Sequence, residues 1–207
     1  MSTAIIGLGN MGKGLANRLA GKTDLIVASR DQAAVAAFAG TLNGVKTASI
    51  DDAIAAADIV IIALPYAAAL ELAASPALKG KIVVDISNPV KADFSGLSIG
   101  HTTSAAEEIQ QLASGAKVVK AFNTIFAGVF DAPLSATAEV PVFLAGNDEA
   151  AVDAVAAIVN KAGFTSEKTG TLDAARLLEP LGMLNIRFGY GLGRGTAIAP
   201  NWLAVAA

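Results

Sequence analysis

Ala4-Ile5-Ile6-Gly7-Leu8-Gly9-Asn10-Met11-Gly12-Lys13-Gly14-Leu15-Ala16-Asn17-Arg18-Leu19-Ala20 is the stretch that decides the fold. It opens with a short apolar run, passes through a glycine-rich hexapeptide, and continues with apolar residues at helical spacing. That order reads as strand, tight turn and helix. A GxGxxG hexapeptide by itself is weak; between a buried strand and a helix it is a dinucleotide-binding fingerprint with a mechanism. Gly7 permits the tight turn. At Gly9 a side chain would stand between the backbone and a pyrophosphate. Gly12 lets the helix pack closely on the strand. The amides that open the helix, at Asn10 and Met11, are free to face phosphate oxygens at the positive end of the helix dipole.

Working outward, Asp24-Leu25-Ile26-Val27-Ala28-Ser29-Arg30 reads as a second strand, apolar throughout as a sheet covered on both faces requires. In NAD-specific sites an Asp or Glu at the end of this strand binds the ribose hydroxyls. Here the strand ends in Ser29 and Arg30, a hydroxyl and a forked cation that suit a 2′-phosphate. The residues therefore favour NADP over NAD. Asp31, the next acid, is the one feature that points the other way.

Val45 to Thr47 is a short third strand. Asp58-Ile59-Val60-Ile61-Ile62-Ala63-Leu64-Pro65 is the fourth, stopped by Pro65. In a doubly wound sheet the strand order reverses between the first and fourth strands, and the cleft opens at their carboxyl ends. Ala63, Leu64 and Pro65 therefore border the cofactor. Lys81 to Ile86 is the fifth strand and delivers Ser87-Asn88-Pro89-Val90 to the same side. Lys117 to Phe122 is the sixth, and Asn123-Thr124-Ile125-Phe126-Ala127 follows where a nicotinamide ring should lie. Val140 to Ala145 and Phe164 to Lys168 complete the strands. Helices are expected over 32–39, 49–57, 104–114, 149–161 and, mostly, 172–188, with Pro180 and Gly182 expected to kink or break the last one. In the 104–114 helix Ala105, Ile109 and Leu112 should share the buried face, with Glu107 and Glu108 solvated. Residues 91–103 read as a long loop over the cleft mouth, His101 included, and 189–195 as too glycine-rich for regular structure. The fold class is α/β: a Rossmann-type, doubly wound, mostly parallel sheet with helices on both faces, one domain over 1–207.

Composition removes several alternatives. The chain has 54% hydrophobic and 16% charged residues, which suits a compact core with Ala-rich helices. A net charge of −3 gives no reason to expect nucleic acid or an acidic membrane surface. Without Cys there is neither disulfide nor thiolate chemistry, and with His101 the only His there is no His-based metal cluster. No apolar run reaches the roughly 20 residues that cross a bilayer. With the fingerprint starting at Gly7, no signal peptide is expected, and the chain is read as a cytoplasmic protein.

Several blocks carry a family resemblance. Gly7 to Gly12, Ala28-Ser29-Arg30, Ser87-Asn88-Pro89-Val90 and Ala121-Phe122-Asn123-Thr124-Ile125 occur in that order. Val142 to Asp148 and Gly170-Thr171-Leu172-Asp173-Ala174-Ala175-Arg176-Leu177-Leu178-Glu179 follow. With these the chain resembles the NADP oxidoreductases dependent on coenzyme F-420, a deazaflavin, and is similar to the reductase domain of the six-transmembrane metalloreductases. The resemblance implies hydride transfer between NADPH and a flavin-like ring. It implies nicotinamide contacts near Ile125, Phe126 and Ala127, and acceptor contacts near Val90 and the chain following Asn123. Some members carry Pro where this chain has Phe126.

The expected site is thus where the carboxyl ends of the central strands converge. Val90, Ile125 and Phe126 offer apolar surface there, and Asn88, Asn123 and Thr124 offer hydrogen bonds, beside the backbone of Pro89. The stretch around Asn185, Arg187 and Tyr190 is expected to close the pocket, from its own chain or from a homodimer partner's. No side chain need act as acid or base, because a flavin-type ring takes a hydride directly. Two rivals stay open. One is reduction of a small imine or keto substrate, which relatives of this fold perform with a further helical domain beyond where this chain ends. The other is NADPH binding without turnover.

Overall fold

A computed structural model describes residues 1–203 and 205. Eight strands form one sheet in the order β3-β2-β1-β4-β5-β6-β7-β8. They are β1 (Ser2–Ile6), β2 (Asp24–Ala28), β3 (Val45–Thr47), β4 (Ile59–Ile62), β5 (Ile82–Asp85), β6 (Lys117–Lys120), β7 (Pro141–Gly146) and β8 (Thr165–Lys168). Six run parallel; β7 joins β6 antiparallel through Val119 opposite Gly146 and Lys120 opposite Ala145, and β8 continues parallel to β7. The order reverses between β1 and β4. Ile6 is in register with Ala28 and with Ile62, Ile62 with Asp85, and Asp85 with Lys120. The strand ends are therefore level, and the loops that leave them meet along one edge.

Alternation along the strands sorts the core into two layers. Ile5, Val27, Ile61, Val84 and Val119 face one side of the sheet, with Leu15, Leu19, Val155 and Phe164 packed on them. Ala4, Ile6, Val60, Ile62, Val83 and Val118 face the other, under Ile54, Ala69 and Ile109. The helices are α1 (Asn10–Leu19), α2 (Gln32–Ala39), α3 (Ile50–Ala56), α4 (Tyr66–Ala73), α5 (Ala105–Leu112), α6 (Leu134–Thr137), α7 (Glu149–Lys161) and α8 (Ala175–Ile186). Asp31, Ser49, Ser104 and Asp148 cap α2, α3, α5 and α7, each accepting a hydrogen bond from a backbone amide of the first turn.

Four points differ from the sequence reading. Residues 66–73 form a helix that the apolar run around Pro65 concealed; Pro65 sits at its N-cap. In α5 the buried stripe is Ala105, Ala106, Ile109 and the following Ala113, while Leu112 is 49% exposed. A spacing of four, not three, carries the face onto the sheet. Helix α8 runs unbroken through Pro180 at its middle, where the proline leaves the Arg176 carbonyl without its intrahelical amide. It then continues as a π-helical turn over Arg187–Gly191, so the glycine-rich tail is regular in its first part. Gly189 is needed there because a Cβ would press into the Phe126 ring. No helix of the described residues is long and apolar enough to cross a membrane.

Candidate active site

The glycine turn shows which glycines the protein needs for itself. Gly7 has φ of +104°, and a Cβ there would collide with the Ala63 carbonyl. At Gly12 a Cβ would overlap the Gly7 carbonyl oxygen, so the start of α1 could not approach β1. Gly9 is different. It is the N-cap of α1 with φ −70° and ψ −172°, a conformation open to any residue, and a Cβ would meet no protein atom within 4 Å. Nothing in the protein asks for glycine at Gly9. The space in front of it is a cradle that a side chain would fill, beside first-turn amides that no side chain caps. That is the fit expected for a diphosphate.

From this turn a cleft of about 710 Å³ runs along Leu8, Ser29, Arg30, Ala63, Leu64 and Pro65. Arg30 is exposed on its wall. Asp31, the acid that pointed towards NAD, accepts the Ala34 amide at 2.9 Å as the cap of α2. One of its carboxylate oxygens is thereby committed to the helix.

On the far side of the switch point, the loops after β5 and β6 are tied to each other. Asn88 Nδ2 donates to the Asn123 carbonyl at 2.7 Å, and Asn123 Nδ2 donates to Asn88 Oδ1 at 2.9 Å and to the Leu178 carbonyl at 2.9 Å. These acceptors fix the orientation of both amides. Asn123 Oδ1 is left buried without a donor, as are the hydroxyls of Ser87 and Thr124. Buried polar atoms are nearly always paired, so three orphans together at two strand ends point to a polar ligand group. Phe122, fully buried, turns the chain out of β6 at φ of +57°, a strained conformation for a bulky residue of the kind that gathers at functional sites.

Ile125 and Phe126 are 5% and 8% exposed. Phe126 packs against Gly189 and lies edge-on to Tyr190, ring centroids 5.4 Å apart, so Ile125 and Phe126 offer a ligand little surface. Val90 is half-buried, and Ala127 opens a short helical turn beside α1. Asn185 donates to the Thr124 carbonyl at 3.0 Å. Arg187 and Tyr190 line a groove of about 770 Å³ together with Met183, Ile186, Leu192 and Phe94 from the 91–103 loop. The structure therefore brings the expected carboxyl-terminal stretch to the strand ends.

Sequence reading missed the charged group beneath this site. Lys120 is fully buried; its Nζ donates to Asp85 Oδ2 at 2.7 Å, to Glu179 Oε1 at 2.7 Å and to the Ser87 carbonyl at 2.6 Å. Burial pushes the Glu179 carboxyl up, and Lys120 opposes that shift. Glu107, read as solvated, pairs with Arg176, which holds its carboxyl below the usual range. Glu108 accepts a hydrogen bond from Tyr66, and burial together with that bond pushes the Tyr66 phenol up. The available signal was a Lys and an Asp each closing an otherwise apolar strand, which in a buried sheet requires a partner.

Comparison with known proteins agrees with this anatomy. A family model described as NADP oxidoreductase, coenzyme F-420-dependent, matches residues 2–89. The F-420-dependent NADP reductase of Methanocaldococcus jannaschii is 30% identical over 199 residues, spanning 87% of this chain and 89% of that one. Metalloreductase STEAP3 of Rattus norvegicus is 31% identical over 182 residues; the match covers 86% of this chain but only 35% of that longer protein. A solved structure from Arthrobacter sp. FB24, provisionally described as an F-420-dependent NADP reductase, superposes with a TM-score of 0.81 at 31% identity, covering 95% of this chain and 96% of that one. The chain belongs to the family of coenzyme F-420-dependent NADP oxidoreductases and is an NADP-dependent oxidoreductase.

Proposed function

We propose that the chain transfers hydride between NADP(H) and a flavin-type or deazaflavin ring. The observation that carries this reading is the apolar groove between Phe94 and the Met183–Leu192 stretch, which is joined to the chain after β6 by Tyr190 against Phe126 and by Asn185 on the Thr124 carbonyl. Its walls suit a planar ring, and Arg187 at its side suits an anionic tail.

When bound, NADPH supplies the hydride. The chain's own residues bind and orient. The Gly9, Asn10 and Met11 backbone takes the diphosphate, and Ser29 and Arg30 take the 2′-phosphate. Ala63, Leu64 and Pro65 flank the dinucleotide. Asn88, Pro89 and Asn123 would hold the carboxamide edge of the nicotinamide. Ile125, Phe126 and Ala127 form the floor. Val90 and Thr124 lie on the acceptor side. Buried apolar side chains around this floor exclude water from the transfer, which needs the two rings about 3–3.5 Å apart.

The test is turnover of NADPH against a deazaflavin, FMN, FAD, riboflavin and a cyclic imine. Turnover with at least one ring acceptor is expected. Turnover with the imine alone, or tight NADPH binding with no turnover, overturns the reading. We also infer a homodimer, because α8 and the described tail expose Leu177, Leu184, Trp202 and Leu203. Sedimentation equilibrium at micromolar concentration should show the dimer; a monomer throughout would reject it.

A further inference from the structure

We infer that Lys120 and Glu179 are positioning residues for the reaction: their buried ion pair seats helix α8 so that it locks the Asn88–Asn123 amide pair at the nicotinamide pocket. The inference rests on the pocket reading above, and it concerns a cluster that the proposed chemistry does not use.

The geometry is closed on every side. Each of the three N–H groups of Lys120 has an acceptor: Asp85, Glu179 and the Ser87 carbonyl. Asp85 Oδ1 accepts the Ser87 amide at 2.9 Å, which ties the ammonium to the loop carrying Asn88. Glu179 accepts from the Ala105 and Ala106 amides at 3.0 and 3.3 Å, so one carboxylate caps α5 and anchors α8 together. Asp85 and Lys120 are register partners on adjacent strands, two and three residues before Ser87 and Asn123. On α8, the residue before Glu179 gives its carbonyl to Asn123, and Gly182 comes so near that a Cβ would stand 2.8 Å from both the Asn123 carbonyl and Asn88 Oδ1. The helix thus presses on the amide pair directly, and the ion pair sets how closely it sits.

Buried charges are a poor way to gain stability, since apolar residues of similar volume do as well or better. Here the pair fixes position. The cleft along Ser29, Arg30 and Leu64 is built on β1, β2 and β4, away from this clasp. Disturbing the clasp should therefore harm the nicotinamide half of the site and spare the other half.

The experiment measures binding of NADPH and of 2′,5′-ADP, which lacks the nicotinamide, to the wild-type chain, to E179Q and to G182A. Fluorescence of bound NADPH and urea midpoints are recorded alongside. E179Q should weaken NADPH about tenfold, leave 2′,5′-ADP within about twofold, and shift bound NADPH emission towards that of free NADPH. G182A leaves the ion pair intact but pushes on the amides from the same helix, and should reproduce the same split. If the urea midpoint shows E179Q largely unfolded, E179D, which keeps the charge but shortens its reach to Lys120, decides by the same split. A folded E179Q or G182A that binds both ligands like wild type, or loses both equally, overturns the inference. A wild-type chain that binds 2′,5′-ADP as tightly as NADPH overturns the pocket reading as well, and that outcome is distinct. Failure of every flavin-type acceptor would leave these readouts unchanged.

Discussion

At the scale of single residues, the glycine turn separates what the fold needs from what a ligand needs. Gly9→Val should keep its melting temperature within a few degrees, because its backbone is ordinary and its Cβ faces open space. Its NADPH affinity should fall by about an order of magnitude or more, as the side chain fills the diphosphate cradle. Gly12→Ala should do the reverse of sparing the fold, because the methyl overlaps the Gly7 carbonyl and overpacking costs about 1–3 kcal/mol. Thermal melts and NADPH titration of the pair check this; equal behaviour of the two variants would contradict it. Arg30→Ala should weaken NADPH about tenfold or more and NADH little, through loss of a charge-assisted contact to the 2′-phosphate. Equal loss for both cofactors would mean that Arg30 does not read the phosphate. Gly7 and Gly12 were legible because the turn they serve is sequence-local geometry. The identity of Asp31 as a helix cap was not, since the same acid in the same place serves a ribose in other sites.

At the scale of elements, strands and capped helices followed from their patterns, and the uncapped α4 and the continuity of α8 did not. Pro180 and Gly182 argued for a broken helix, whereas Gly182 is there for close approach to Asn88 and Asn123. A contact between residues some sixty to ninety positions apart leaves no local pattern. The same holds for Glu107, which looked like a solvated face until α8 brought Arg176 beside it, Nε to Oε2 at 2.9 Å. This pair gives a pH prediction with a defined sign. Arg176 depresses the Glu107 carboxyl, so its contribution to stability is present above the ordinary glutamate range. It is lost as pH falls through the depressed folded value. Arg176→Leu should therefore melt below wild type near neutrality, and the two melting curves should converge as pH falls below the ordinary glutamate range. A gap that stays constant across that range would remove the pair from the account.

At the scale of the whole molecule, the sheet has two halves, and one buried guanidinium joins α1 of the first half to the chain that follows β6 in the second. Arg18 is 8% exposed, on the last turn of α1. Its Nε donates to the Phe130 carbonyl at 2.8 Å, one terminal nitrogen to the Ala132 carbonyl at 2.6 Å, and the other to the Thr137 hydroxyl at 3.3 Å. The guanidinium also lies over the Phe164 ring, 5.5 Å from its centroid. In the sequence Arg18 was one polar residue on an amphipathic helix, and no pattern along the chain announces partners more than a hundred positions away. Removing it leaves buried carbonyls without donors, each costing about 1–3 kcal/mol. Arg18→Ala should therefore lose about 3 kcal/mol or more of stability, about 6–12 °C in melting temperature for a chain of this length. Arg18→Lys should recover only part of this, because an ammonium cannot reach three acceptors set out for a planar fork. NADPH affinity measured well below the melting temperature should stay near wild type in both variants, since the end of α1 proposed to meet the diphosphate lies two turns away. A fall in affinity without a fall in stability would place Arg18 in the binding site and not in the frame that carries it.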